Sequence, residues 1–181
     1  MPDQPSPGQI EIRINSVAQL FNSFDPSPFQ ERDLDDNAEE FIVGSALEFH
    51  RNEKLRIIVH MPARECLSEG AKGLASAVAK HFDYRVGVMK RELAELFRAG
   101  RRYLLVGVSI FAACHVLAEV IRNAFPGDTF AEGVEQGLII IGWVANWKPF
   151  DILLYDWWPL RRRIRLFQRL AEAEIEVRPA T

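Results

Sequence analysis

The sequence predicts an α+β fold: a small domain with a short, three-stranded sheet and helices, fused to a two-helix transmembrane hairpin with a long first helix. Three observations carry that expectation. Residues 103–121, YLLVGVSIFAACHVLAEVI, form a nineteen-residue run that is almost wholly apolar, entered through Arg98, Arg101 and Arg102. As a helix such a run spans about 28 Å, close to the hydrocarbon thickness of a bilayer. A second apolar stretch follows an acidic connection, and the chain then turns basic at Arg161, Arg162 and Arg163. Outside these stretches, short segments at residues 10–15, 55–61 and 174–178 have strand character and are expected to share one sheet.

Taken in order, residues 1–9 are rich in Pro, Ser and Gly and read as a disordered tail. Ile10, Ile12 and Ile14 then alternate with Glu11 and Arg13, the pattern of a half-buried strand. A short amphipathic turn at 17–21 leads to DPSPF, where Pro26 and Pro28 exclude a regular helix and fix an extended loop. Asp33 is the expected N-cap of the next helix, with Asp35, Asp36, Glu39 and Glu40 suiting the positive end of its dipole. Leu34, Ala38, Phe41, Ile42, Ser45 and Phe49 trace its apolar stripe. LRIIVHM at 55–61 is a second strand ended by Pro62. Ser68 caps a helix whose stripe runs through Leu67, Ala71, Leu74, Val78, Phe82, Met89, Leu93 and Leu96. No proline interrupts residues 63–125, so one long helix can run from this domain into the apolar span; Gly87, Gly100 and Gly107 are its weakest points.

Residues 123–136 form a turn, and 137–147 are apolar but short. Lys148-Pro149 then interrupts the run before Phe150 and ILLY resume it. The expected solution is a break at Pro149, with Lys148 snorkelling and residues 150–158 lying along the membrane interface. Leu160, Ile164, Phe167 and Ala171 mark a final amphipathic helix studded with arginines, which would run on along the surface as a collar. Ile175 and Val177 mark a third strand. The domain boundaries that follow are 10–100 for the cytoplasmic α/β portion, 101–158 for the hairpin and interfacial segment, and 159–181 for a helix and strand returning to the first portion.

The competing reading, a soluble domain with a buried central helix, fits less well. Residues 88–102 hold five bases against two acids, 159–173 five against one, and the intervening 122–136 one base against three acids. That is the positive-inside pattern of a hairpin with both termini cytoplasmic. Trp143, Trp147, Trp157 and Trp158, with Lys148 and Arg161, Arg162 and Arg163, lie at the expected cytoplasmic boundary and act as interface anchors. Membrane lipids are therefore the first expected partner.

Composition excludes several classes. The net charge of −3 and a pI near 5.8 argue against a nucleic-acid binder. Mean hydropathy is −0.07, an average in which a polar majority dilutes two concentrated apolar blocks. Cys66 and Cys114 lie far apart without CxxC or Cys/His spacing, so neither a disulfide framework nor a zinc site is expected. The first ten residues lack the positive and apolar regions of a signal peptide, leaving the first span to direct insertion. GxSxG, P-loop, HExxH and Rossmann glycine patterns do not occur, so no cofactor, metal or catalytic residue is assigned.

Two polar groups merit closer reading. His115 and Glu119, four apart, share one face of the first span, and an ionisable pair in a membrane points to function. Asp33, Asp35 and Asn37 mimic the start of a calcium loop, but Ala38 and Gly44 stand where glycine and glutamate are needed. Asp25, Arg32 and Asp33 instead suggest an ion pair that fixes the Pro26–Pro28 loop against the helix.

Residues 20–43 and 137–163, somewhat over a quarter of the chain, resemble a family of small bacterial two-helix inner-membrane proteins of unknown function. The resemblance implies a bacterial inner-membrane location and a shared fold, and it carries over no functional residues. Two functional expectations follow. One is a non-enzymatic, membrane-anchored adaptor or assembly subunit, either a homo-oligomer or bound to another membrane protein. The other is an oligomeric ion or proton channel or transporter component using His115 and Glu119.

Overall fold

Three strands, β1 (Gly8–Arg13), β2 (Leu55–Met61) and β3 (Glu174–Pro179), form one parallel sheet in the order β1-β2-β3. The computed structural model describes residues 8–28 and 32–180. Of the expected tail, residues 1–7 lie outside this range, while Gly8 and Gln9 already belong to β1. Gly8 opens the strand because Phe49 lies against it: a Cβ there would come within 2.7 Å of the ring.

Register explains the sheet's two faces. Ile10, Ile57 and Ile175 lie side by side, as do Ile12, Val59 and Val177, so these six β-branched residues share one face, while Ile58 lies on the other with Glu11 and Glu176. A strand order that follows the chain, with right-handed crossovers, leaves both connections on one face. The first crossover holds a 3-10 turn (Val17–Leu20) and α1 (Asp36–Glu48). The second starts with a single turn, α2 (Ala63–Cys66), and enters α3 (Glu69–Ala124), which is 56 residues long. It returns through α4 (Thr129–Val144), α5 (Trp147–Asp151), a π-helical turn (Ile152–Asp156) and α6 (Trp157–Ala171).

The chain divides into two compact units, Met1–Met89 with Arg162–Thr181, and Lys90–Arg161. The first unit has an ordinary core: Leu74, Val78 and Phe82 of α3 with Phe167 and Leu170 of α6 are buried. Phe82 and Phe167 meet edge to face with centroids 5.6 Å apart.

Several local expectations change. Ser68 accepts from Ala71 N at 3.1 Å, as a cap should, but Leu67 is exposed and takes no part in the stripe. The cap of α1 is Asp35, which accepts from Asn37 N at 3.0 Å, because Asp33 is engaged elsewhere. α1 buries Ile42 and Ala46, whereas Phe41 is exposed. α6 spends its apolar side, Ile164, Phe167 and Leu170, on the core of the first unit. Those residues are therefore not available to lie along a membrane as a collar, whereas Trp158 at the start of α6 is exposed.

Candidate membrane segment and polar clusters

Within the second unit α3 and α4 pack along a narrow seam. On α3 the less exposed positions are Gly100, Leu104, Gly107, Phe111, Cys114, Ala118 and Ile121, spaced alternately four and three. Ala131, Glu135, Leu138 and Gly142 repeat that spacing on α4. This is the heptad seam of helices crossing at a shallow angle. Glycine sets the separation. A Cβ on Gly107 would lie 2.8 Å from Asn146 Oδ1 and 3.0 Å from the Ala145 carbonyl, and one on Gly100 2.8 Å from Ile152 Cγ2. Small residues at such a seam let backbones approach closely, which is how membrane helices associate.

Asn146 closes the seam. It is buried, and its Nδ2 donates to the carbonyls of Gly107 at 3.1 Å and Gly142 at 3.0 Å. At the other end Arg122 bonds Glu119 on its own helix and reaches Glu135 of α4 at 3.5 Å. Asp128 caps α4 through the Phe130 and Ala131 amides at 2.8 and 3.2 Å.

The rest of the surface is unusual. In their most apolar windows, only 17% of the first long helix and 22% of the 129–171 stretch are buried. Both are long and apolar enough to cross a membrane. Of the exposed large apolar side chains among the described residues, all but Phe24, Phe41, Leu47, Leu67 and Tyr84 belong to residues 90–161. A core helix of a soluble protein would be mostly covered, whereas contiguous apolar patches on this scale mark a membrane or protein contact.

The path after α4 differs from expectation. The break falls at Ala145–Asn146, and Pro149 sits in the first turn of α5, where its missing N–H costs no hydrogen bond. α4 alone spans about 24 Å, so helix beyond the break is needed to match a hydrocarbon core of about 30 Å. Lys148 pairs with Asp156 at 3.4 Å. Trp157 donates to the Leu153 carbonyl at 2.9 Å and stacks on Trp158 at 6.2 Å. Arg161 lies over the Trp157 ring at 5.6 Å and Arg163 over Phe167 at 5.6 Å, while Arg162 is exposed. Trp143 meets Phe111 at 5.6 Å, and Trp143, Trp147 and Trp158 are largely exposed.

His115 and Glu119 share a helix face but have separate partners. Glu119 bonds Arg122 and, at 3.2 Å, Asn123, whereas the His115 ring packs edge-on against Phe111 at 4.5 Å. His115 points outward from the seam and is exposed.

In the first unit, polar residues converge where the sequence gives no motif. His81 is buried on α3. Its Nδ1 lies 3.1 Å from Asp33 Oδ1 and its Nε2 2.9 Å from Glu39 Oε2, while Arg85 donates to Glu39 Oε1 at 2.9 Å. The Leu34 N–H also points at Nδ1, 3.3 Å away. The two ring nitrogens face opposite ways, so these carboxylates cannot share one metal ion with the imidazole. Among the described residues no His/Cys/Asp/Glu group offers a metal site, and Cys66 and Cys114 are free thiols. The cluster ties the loop and α1 to α3.

Asp25 organises the loop before it, accepting from Ser27 N at 2.9 Å and Asp33 N at 2.8 Å. Arg32 donates to the Ser27 carbonyl at 3.5 Å, so backbone amides, rather than an Asp25–Arg32 ion pair, hold the turn. Hydrogen bonds from the Ser27 side chain, then from the Asp33 and Ser27 amides, lower the Asp25 pKa from 3.8 to about 2. A depressed carboxyl pKa stabilises the fold above the unfolded value and is lost as pH falls through the folded one. The urea-midpoint difference between wild type and Asp25→Asn should be full near neutral pH and should shrink as pH drops from 3.8 towards about 2. A difference independent of pH would show that the charge does not hold the loop.

No protein-family model, no curated protein and no solved structure matches this chain.

Proposed function

We propose that this protein is an inner-membrane anchor of bacteria, a non-enzymatic adaptor or assembly subunit whose helical hairpin holds a small cytoplasmic domain at the bilayer. The observation that carries the reading is the apolar coat of residues 90–161, whose candidate spans are only 17% and 22% buried. In water that coat would be a standing aggregation hazard, whereas in lipid it is the expected surface. β1 and β3 flank the same central strand, so the chain between them must make an even number of crossings. The basic residues before the first span and after the second favour a cytoplasmic side for that sheet.

The sheet offers the binding surface. All-parallel sheets usually have both faces covered. Here the face opposite Ile10, Ile57 and Ile175 presents Glu11, Arg13, Glu174, Glu176 and Arg178, exposed or half-buried, around Arg56, His60 and a buried Ile58. Arg56 pairs with Glu174 at 2.8 Å and Arg178 with Glu176 at 2.8 Å. A polar, charge-patterned surface suits reversible docking of a protein partner.

Membrane fractionation tests the anchor. The full chain should sediment with membranes, resist alkaline carbonate and be released by detergent, and deletion of residues 103–158 should move it to the soluble fraction. Extraction of the full chain by carbonate would refute membrane integration.

A further inference from the structure

We infer that the sheet of the first unit continues into a second copy of this chain, with β3 pairing antiparallel to β3 of that copy across a two-fold axis at Val177. The inference goes beyond the anchor reading and does not rest on it, because β3 belongs wholly to the first unit. The strand order leaves β3 at an edge of the sheet. Successive residues of a parallel strand turn their N–H and C=O alternately to one side and the other. Ala180 N donates to the Met61 carbonyl at 2.8 Å, so the even-numbered residues of β3 face β2. Ile175 and Val177 therefore face outward, and among the described residues nothing accepts from either N–H. Glu174, Arg178 and Pro179 are exposed, and Ile175, Glu176 and Val177 are half-buried. Proline stands only at the last position of the strand, so the edge before it is an open template.

The charges of β3 single out its own copy as the strand that fits. A ladder forms only where outward-facing residues oppose one another, which restricts a two-fold pairing to registers centred on one residue. Centred on Ile175, Glu174 would oppose Glu176; centred on Glu176 or Arg178, that residue would oppose itself. Centred on Val177, Glu176 of each copy opposes Arg178 of the other, and like charges never face each other.

Within one strand Arg178 already donates to Glu176 from Nε and Nη2, at 2.8 and 3.0 Å. Each carboxylate would gain a second arginine while keeping its first, so that four charges alternate around the axis. These pairs occupy non-hydrogen-bonded positions, where Cα atoms stand about 4.5 Å apart and side chains are closest. On the other face Val177 meets Val177 and Ile175 meets Pro179, extending the apolar side of the sheet. The backbone bonds run between the two Val177 residues in both directions, and from each Ile175 N–H to the other copy's Pro179 carbonyl. Pro179 has no N–H to return, which ends the ladder there.

The test begins with the mass of the full chain in mild detergent, which should be that of a dimer. Glu176→Arg or Arg178→Glu alone sets like charges opposite each other twice and should weaken the dimer about tenfold. The double exchange, Glu176→Arg with Arg178→Glu, restores opposite charges across the axis and should recover most of it. With Cys66→Ser and Cys114→Ser removing the natural thiols, Val177→Cys should cross-link to its own copy under mild oxidation. The paired Cα atoms, about 5.5 Å apart, are within disulfide reach. Arg13→Cys, exposed on the opposite edge strand, should stay monomeric. A monomeric wild type, equal trapping at both positions, trapping only to a protein of another size, or a double exchange no better than either single would each overturn the pairing. A chain that dimerises through β3 yet is stripped from membranes by carbonate sinks the anchor reading alone.

Discussion

Val116→Arg combined with Ile141→Arg should abolish stable accumulation of the protein in membranes. Both side chains are exposed, 66% and 57%, and neither lies in the α3–α4 seam. Were water the solvent, two such surface changes would each stay within about 0.5 kcal/mol and would improve solubility by breaking an apolar patch. In a bilayer the outcome reverses, because arginine near the middle of a span costs about 2.5–3.5 kcal/mol on the insertion scale. Two of them in one hairpin oppose insertion by about 5–7 kcal/mol, taking the costs as additive. The measurement is the amount of full-length protein in the carbonate-resistant fraction, with Val116→Leu and Ile141→Leu as controls for packing. A double-arginine protein that accumulates normally, and more solubly, would show that these helices meet water or another protein.

The length of α3 was legible because nothing in residues 63–125 forbids a helix, and internal glycines weaken one without ending it. Strands β1 and β3 announced themselves by alternation, whereas β2 is buried at Leu55, Ile57, Ile58, Val59 and Met61 and reads as an apolar run. That its neighbours pair with it on both sides, and in parallel, is not written in any local pattern. Pro149 misled because a proline that ends one helix and a proline in the first turn of the next look alike in sequence. What separates them is Asn146, whose two bonds to glycine carbonyls set the break three residues earlier. The cap of α1 was ambiguous for a similar reason: Asp33 and Asp35 are equivalent until His81 engages the Asp33 carboxylate. His115 and Glu119 share a face, but that leaves each side chain free to choose a nearer partner, and Arg122 is three residues from Glu119.

His81 could not have been singled out from the sequence at all, since its carboxylate partners stand 48 and 42 residues away. It is nevertheless where a single substitution in the first unit should cost most among polar positions. His81→Leu keeps an apolar body in the helix but removes both ring nitrogens. Glu39, whose side chain is 14% exposed, is left with Arg85 alone, and the Leu34 N–H loses its acceptor. Removing one partner of a buried charged group costs about 3–5 kcal/mol, and the low end applies here because Asp33 is half in water and Arg85 remains. The loss should be local at first. Amide exchange should accelerate at Asn22 and Asp35, whose N–H groups bond the Asp33 and Leu20 carbonyls across the small bridge, before it does in β2. Adding Glu39→Gln to His81→Leu should recover part of the stability, because the stranded carboxylate is then neutral. An unchanged urea midpoint for His81→Leu would show that the cluster only decorates a loop held by the Leu20, Phe21 and Leu34 packing. A double variant less stable than the single would show instead that Arg85 and Glu39 carry the joint without the imidazole.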